Sequence, residues 1–129
     1  MPYAVKQISS DVVEVAYWGR VSEMDTANAT GECVQLQRQL SIFKFVAVVA
    51  EDAEMEMQPD RVRELAGRGY RRLELRRATR IAVVRPKSES ALRFVEAFEE
   101  ASRKRGWNVR ILSDRKAALQ WLDEPSQAK

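Results

Sequence analysis

The chain has 129 residues, of which 45% are hydrophobic, and this suits one domain with one core. One cysteine and no histidine exclude an internal disulfide, catalytic pairs of serine or cysteine with histidine, and metal sites built from those two residue types. The formal net charge of +3 is mild. The N-terminus lacks a signal-peptide pattern, and no apolar run approaches the roughly 20 residues that span a bilayer. We therefore expect a cytoplasmic protein without a membrane span.

The first predicted elements are two strands joined by a tight turn. Residues 3–8 alternate loosely between apolar and polar side chains, and residues 12–18 are rich in valine. Residues 9–11 between them have the composition of a turn. The two strands should therefore pair as an antiparallel hairpin, and Gly19 should end the second strand.

The first helix is predicted to begin after Ser22 and to run to about Leu40. Ser22 can cap the helix N-terminus, and Asp25 three residues later gives a weak form of the capping box. The apolar stripe expected to face the core is thin and consists of Met24, Ala27, Gly31, Val34, Leu36 and Leu40. We interpret Cys33 as an inert small residue at the core, because no basic residue adjoins it to lower its pKa.

Two short apolar runs, residues 45–50 and 81–84, are the stretches around which the rest of the chain is predicted to fold. Both are rich in β-branched residues, and each is followed by a charged segment with helical spacing. Strands buried on both faces of a parallel sheet have this pattern, because helices cover them and leave no face for polar residues. The full strands are predicted over residues 44–50 and 80–85, and Pro86 ends the second.

The helix between these strands is predicted to begin at Pro59, because proline suits the first helical turn. Its expected apolar face consists of Val62, Leu65, Ala66, Gly69 and Leu73. Glycine inside a helix costs about 1 kcal/mol relative to alanine, so Gly67 and Gly69 need an explanation. A close approach of the helix to the sheet would explain Gly69, and a break of the helix near Gly67 is the alternative.

A third helix, an edge strand and a short fourth helix complete the predicted chain. Ser88 or Ser90 can cap the third helix, and Gly106 can end it. The inner face of this helix is predicted to consist of Ala91, Phe94, Val95, Phe98 and Ser102. The edge strand covers residues 107–112, and the fourth helix follows a cap at residues 113–114. The inner face of the fourth helix is predicted to consist of Ala118, Trp121 and Leu122.

The predicted element order is β-β-α-β-α-β-α-β-α, an α/β fold with a mostly parallel five-stranded sheet and four helices. Right-handed crossovers between successive parallel strands should place the helices on the same side of the sheet. There is no repeat, linker or low-complexity segment, so residues 1–124 are predicted to form a single domain. Residues 125–129 are predicted to be a frayed tail.

Basic residues concentrate between positions 61 and 87, where ten arginines and lysines stand against two glutamates. The simplest interpretation is a solvated helix face, and the alternative is a basic patch for an anionic partner. Arg61, Arg68 and Arg72 would fall along one flank of the second helix, with Arg71 pointing away from the core.

The sequence contains no glycine-rich phosphate-binding motif after a strand. The acidic run made of Glu51, Asp52, Glu54 and Glu56 is interpreted as a solvated loop, because carboxylates this close repel one another unless a cation binds them. Trp18, Trp107 and Trp121 are interpreted as core or boundary packing, since they are not interleaved with the arginines as in nucleic-acid surfaces. No catalytic, cofactor-binding or metal-binding residue is predicted.

Three segments together resemble the SpoIIAA-like (STAS) family, in particular its small stand-alone bacterial STAS/SEC14-like branch: residues 79–84, residues 18–22 opening into a helix, and residues 117–122. The resemblance covers nearly the whole chain and implies a four-turn βα superhelix around about five strands. Its best-known members are anti-sigma-factor antagonists with a phosphorylatable serine between the third strand and the second helix. Residues 51–60 contain no serine, threonine or tyrosine, so no phosphorylation site is carried over.

The resemblance also implies a function without catalysis, because related proteins are suspected of holding small apolar ligands between sheet and helices. We therefore expect a regulatory or ligand-binding module whose partner is a protein or a small apolar ligand, with a homodimer also open. The candidate docking surface consists of Glu54, Glu56, Arg61, Arg68, Arg71 and Arg72. The alternatives are a nucleic-acid-binding protein that uses the basic region 61–87, and a small carboxylate-dependent enzyme.

Overall fold

Residues 2–124 are described by the computed structural model, and the predicted tail, 125–129, lies outside them. The strands are β1 (Tyr3–Gln7), β2 (Val12–Tyr17), β3 (Arg20–Val21), β4 (Lys44–Val49), β5 (Glu54–Met55), β6 (Arg80–Val84) and β7 (Asn108–Leu112). The helices are α1 (Glu23–Leu40), α2 (Pro59–Glu64 continued by a π-helical turn, Leu65–Gly69, and by Tyr70–Arg72), α3 (Glu89–Lys104) and α4 (Arg115–Asp123). None of these helices combines the length and apolar character needed to cross a membrane.

The main sheet has five strands in the order β1-β2-β4-β6-β7. β1 pairs with β2 as the predicted antiparallel hairpin, and the other pairs are parallel. The two apolar runs are neighbours at its centre, with Phe45 opposite Ile81 and Ala47 opposite Val83. The predicted α/β fold with a mostly parallel five-stranded sheet and four helices is therefore confirmed.

A second, two-stranded sheet was not predicted. β3 and β5 pair in parallel, and the amide of Glu54 donates to the carbonyl of Gly19 at 2.7 Å. Gly19 has a φ of +62°, a left-handed conformation that glycine adopts without strain and that lets the chain turn between β2 and β3. The acidic connection after β4 is thus held against the start of α1, and only part of it is an open loop.

The N-terminus of α1 is capped as predicted, because the Ser22 hydroxyl accepts from the Asp25 amide and the Asp25 carboxylate accepts from the Ser22 amide. The predicted inner face is correct at Val34, which is buried, and at Leu36, which packs partly buried against the cluster that contains Ile42. It is wrong at Met24, Ala27 and Leu40, which are exposed. Met24 is 68% exposed and Leu40 is 47% exposed. The buried residues are Thr26, Ala29, Val34 and Gln37.

Three polar side chains can face inward on α1 because each has a hydrogen-bond partner. The Thr26 and Thr30 hydroxyls donate to carbonyls one turn back, at 3.2 and 2.9 Å. The Gln37 amide donates to the Thr79 hydroxyl at 2.7 Å and accepts from the backbone amide of Arg76 at 3.0 Å. Burial of these groups therefore leaves no unmade hydrogen bond, which would otherwise cost about 1–3 kcal/mol.

α2 begins at Pro59 as predicted and does not break near Gly67, but Leu65–Gly69 forms a π-helical turn. A π turn holds one residue more than an α turn, so later residues are rotated relative to a regular helix. Tyr70 consequently occupies the inward position predicted for Gly69 and is 4% exposed. A Cβ on Gly69 would lie 2.8 Å from the Leu65 Cδ1, so Gly69 permits a close approach within its own helix and not to the sheet.

The helices do not all lie on the predicted side of the sheet. Residues of α1, α2 and α3 form one buried cluster with strand residues that include Val49, Val83 and Val109. α4 packs on the opposite face, where Ala118, Trp121 and Leu122 form a cluster with Val12, Val46 and Ala82. The rule of handedness applies to a helix that connects two parallel strands, and within residues 2–124 no strand of the sheet follows α4.

Arg80 anchors α4 and does not belong to the exposed basic region with which it was grouped. Its side chain is buried, its guanidinium lies 4.4 Å from the centre of the Trp121 ring, and it donates to three carbonyls at the C-terminus of α4. The cation also complements the negative end of the helix dipole. Trp107 is buried like Trp121, whereas Trp18 is 41% exposed.

Candidate functional site

A partly enclosed cavity of about 90 Å³ lies between the sheet and helices α1, α2 and α3. The strands contribute mainly apolar side chains, those of Val15, Phe45, Ala47, Val49, Ile81 and Val83. The helices and the loop after α2 contribute Val34, Leu65, Leu75, Phe94, Val95 and Phe98. A liquid water molecule occupies about 30 Å³, so the cavity has room for about three groups of that size.

Three titratable side chains line this cavity: Tyr17 from β2, Cys33 from α1 and Tyr70 from α2. Burial raises the pKa of all three, that of the Cys33 thiol to about 12. They lie close enough that the charges of Tyr17 and Cys33 would further raise the pKa of Tyr70. All three groups are therefore neutral at physiological pH and can act only as weak hydrogen-bonding groups.

The two phenol groups are available for hydrogen bonding. Within residues 2–124 the Tyr17 and Tyr70 hydroxyls have no hydrogen-bond partner, whereas the Tyr3 hydroxyl donates to Glu32 at 2.7 Å. The Tyr70 ring is held in place by edge-on contacts with Phe98 and Trp107, with ring centres 6.1 and 5.3 Å away. Such a cavity can bind a small uncharged group and give it one or two hydrogen bonds.

The described residues that line the cavity are uncharged and include one thiol. The Cys33 thiol, with its raised pKa, supplies almost no thiolate at neutral pH, and the thiolate is the nucleophilic form. The cavity thus offers shape and neutral hydrogen-bonding groups, which are the requirements of binding.

A surface groove of about 310 Å³ lies between α1 and α2. Its lining residues are Glu23, Ala27, Thr30, Met57, Arg61, Glu64, Leu65, Arg68, Gly69, Arg72 and Leu73. Arg61 bridges the groove, because it pairs with Glu23 and Glu64, each at 2.8 Å. The hydrogen bond from Arg61 lowers the pKa of Glu23.

The six residues of the predicted docking surface are divided by the structure. Arg61, Arg68 and Arg72 line the groove along one flank of α2, as the helical spacing predicts. Arg71 is exposed on the same helix outside the groove. The acidic members are also exposed and lie apart from the groove lining, in β5 and just after it, where Glu56 pairs with Arg20 at 2.9 Å. The structure therefore places the basic members together without the acidic ones.

The sequence did not predict the lining of the cavity. Cys33 was correctly placed at the core and correctly interpreted as unreactive, and its raised pKa supports this. Tyr70 was missed because the π turn shifts the inward face by one residue. Tyr17 was predicted only as part of a strand. Its place in the cavity lining depends on its position near Cys33 of α1, which the sequence of the strand does not reveal.

The fold matches the solved structure of the anti-sigma factor antagonist SpoIIAA in its unphosphorylated form. The match has a TM-score of 0.59, covers 95% of this chain and 99% of that chain, and has 14% sequence identity. No protein-family profile matches the sequence, and no curated protein matches it. The chain thus has a SpoIIAA-like (STAS) fold, in agreement with the resemblance seen in its sequence.

Proposed function

We propose that residues 1–124 form a single STAS-type domain that binds a small, mostly apolar ligand and acts as a regulatory module without catalytic activity. The observation that carries this proposal is the apolar cavity of about 90 Å³ beneath α1, α2 and α3. Buried cavities of this kind are costly, because the side chains around them lose packing contacts. A ligand that fills the space would recover those contacts.

The lining indicates the chemistry of the ligand group that enters the cavity. Because none of the described residues that line it is charged, burying a charge there would be costly. An alkyl group of three or four carbon atoms with one hydrogen-bonding atom would fit, since the Tyr17 and Tyr70 hydroxyls make no hydrogen bond within residues 2–124. The absence of serine, threonine and tyrosine from residues 51–60 further supports regulation by a ligand in place of phosphorylation at that connection.

The proposal is tested by titrating ¹⁵N-labelled protein with propan-1-ol, whose three carbon atoms match the cavity volume, and, separately, with xenon under pressure. We expect saturable shifts at the amides of Ala47, Val83 and Tyr70, which line the cavity. Ala47→Leu should abolish them by filling the space. Ala4→Leu is the matched control, because Ala4 is exposed on β1, and should leave them unchanged. Absence of saturable shifts with both probes in the wild-type protein would contradict the proposal.

A protein partner is the second candidate function. Its support is the exposure of Arg68, Arg71 and Arg72, none of which forms an ion pair within residues 2–124. An acidic surface of a partner would complement this charge. The test is capture from extract of the native host by the wild-type protein and by Arg68→Glu/Arg72→Glu. Retention of nucleic acid, with affinity falling steeply as salt rises, would instead favour the nucleic-acid alternative.

A further inference from the structure

We propose that the groove between α1 and α2 is the entrance to the cavity and that the ligand is an anionic amphiphile with a short alkyl tail. The tail passes Leu65 into the cavity, and the head group is held by Arg68 and Arg72 at the mouth. This inference rests on the proposed function, which supplies the cavity as a binding site. It adds the route of entry, the charge of the ligand and the residues that recognise it.

The first observation is that the groove and the cavity share two lining residues, Thr30 of α1 and Leu65 of α2. The groove and the cavity are therefore adjacent, and Thr30 and Leu65 lie between them. The Thr30 hydroxyl is fixed to the Thr26 carbonyl at 2.9 Å. Leu65 has no comparable restraint, so its side chain is the part of the partition that can rotate away.

The second observation concerns the helix segment that carries Leu65. Leu65 begins the π turn, and its side chain lies against Gly69, where a Cβ would come within 2.8 Å of the Leu65 Cδ1. Glycine at this position therefore gives the leucine side chain space that any other residue would occupy. π turns are often found at functional sites, where they re-aim side chains without ending the helix.

The third observation is the charge at the mouth of the groove. Three arginines and two glutamates line it, and both glutamates are bound to Arg61. Arg68 and Arg72 lie one turn apart on α2 and have no carboxylate partner within residues 2–124. Two exposed cations beside an apolar passage match a molecule with an anionic head and an apolar tail, and arginine pairs well with a carboxylate.

The size of the cavity limits the length of the tail. A volume of about 90 Å³ accommodates about three groups the size of a water molecule, which corresponds to a tail end of three or four carbon atoms. The remaining carbon atoms would lie beside Leu65 and Leu73 in the groove. Hexanoate is therefore the probe of choice, and hexan-1-ol is its uncharged counterpart.

The experiment compares hexanoate and hexan-1-ol by calorimetric titration against the full chain. We expect the wild-type protein to bind hexanoate more tightly. Arg68→Gln/Arg72→Gln should weaken hexanoate binding about tenfold or more and leave hexan-1-ol binding unchanged, because only the charged head loses its partners. Arg63→Gln/Arg71→Gln is the matched control: it removes the same two charges from the same helix outside the groove, and it should change neither affinity.

Two further variants test the route. Leu65→Ala should raise both the association and the dissociation rates of hexan-1-ol, measured by NMR line shape, and Ala47→Leu should abolish binding of both probes. Thermal unfolding of each variant shows whether it remains folded.

Each contrary result has a definite meaning. Equal affinity for both probes, unaffected by Arg68→Gln/Arg72→Gln, would overturn the head-group assignment and leave the proposed function standing. Hexanoate binding that survives Ala47→Leu would place the ligand on the surface and overturn the entrance. Equal weakening by Arg63→Gln/Arg71→Gln would show attraction to net charge without a defined site, which also overturns the proposal. If neither probe binds at all, the proposed function itself fails.

Discussion

Replacing Arg80 by methionine should destabilise the protein substantially, because this residue joins the central sheet to α4. Its Nη atoms donate to the carbonyls of Trp121 and Glu124 at 2.6 Å and of Leu122 at 3.2 Å. Hydrogen bonds from a charged donor contribute about 1.5 kcal/mol each, so three contribute about 4.5 kcal/mol. The buried Nε has no partner within residues 2–124, and its removal returns about 1.5 kcal/mol. The expected net loss is therefore about 3 kcal/mol.

The loss is measured by urea unfolding followed by tryptophan fluorescence. We expect a lower midpoint with an unchanged slope, because the surface exposed on unfolding is nearly the same. For a domain of this size the melting temperature should fall by about 10 °C. Arg110→Met is the matched control: Arg110 is exposed on β7, so the change should stay within about 0.5 kcal/mol.

A loss for Arg80→Met of less than about 1 kcal/mol would refute this reasoning. It would mean that the cost of burying the guanidinium cancels its hydrogen bonds, as happens for some buried ion pairs. Arg80→Lys separates the two contributions. It keeps the charge near the end of α4 but cannot reach three carbonyls at once, so it should fall between the wild type and Arg80→Met.

Three further predictions concern other contacts. Trp107→Phe keeps the ring but removes the indole bond to the Ala66 carbonyl, 2.9 Å long, and should cost about 1–2 kcal/mol in urea unfolding. Arg61 lowers the pKa of Glu23, so the pair stabilises the fold above the ordinary glutamate pKa and loses this effect as pH falls through the lowered pKa. The difference in the free energy of unfolding between wild type and Glu23→Gln should therefore shrink from pH 7 to pH 3. A constant difference would contradict this. Cys33, with its pKa near 12, should react with a thiol reagent at pH 8 at least about tenfold more slowly in the folded protein than in urea, and equal rates would contradict its burial.

The central strands could be predicted from the sequence because a buried parallel strand leaves a local signal. The runs at 45–50 and 81–84 contain almost only apolar residues, and no other part of the fold has to be known to interpret them. The caps at Ser22 and Ser88 are local in the same sense, since each serine bonds an amide three residues away. The central strands and the cap at Ser22 were therefore predicted correctly, and the structure selects Ser88 from the two predicted candidates, Ser88 and Ser90.

The errors arose where distant residues decide the outcome. The buried positions of α1 include Gln37, whose partners Thr79 and Arg76 lie about forty residues away, so a hydrophobic pattern could not identify its inward face. The π turn of α2 departs from the 3.6-residue period on which the prediction of its face relied. The cavity depends on both helices at once, and only the basic flank of α2 could be predicted in advance.

The π turn has a consequence for how insertions and deletions act on this protein. Removing one residue from Leu65–Gly69 would restore a regular helix and swing every later residue of α2 by about 100° about the helix axis. Tyr70 would leave the core, and the cavity would lose one of the side chains that line it. Deletion of a single residue there would thus remove the cavity while the order of strands and helices stays the same.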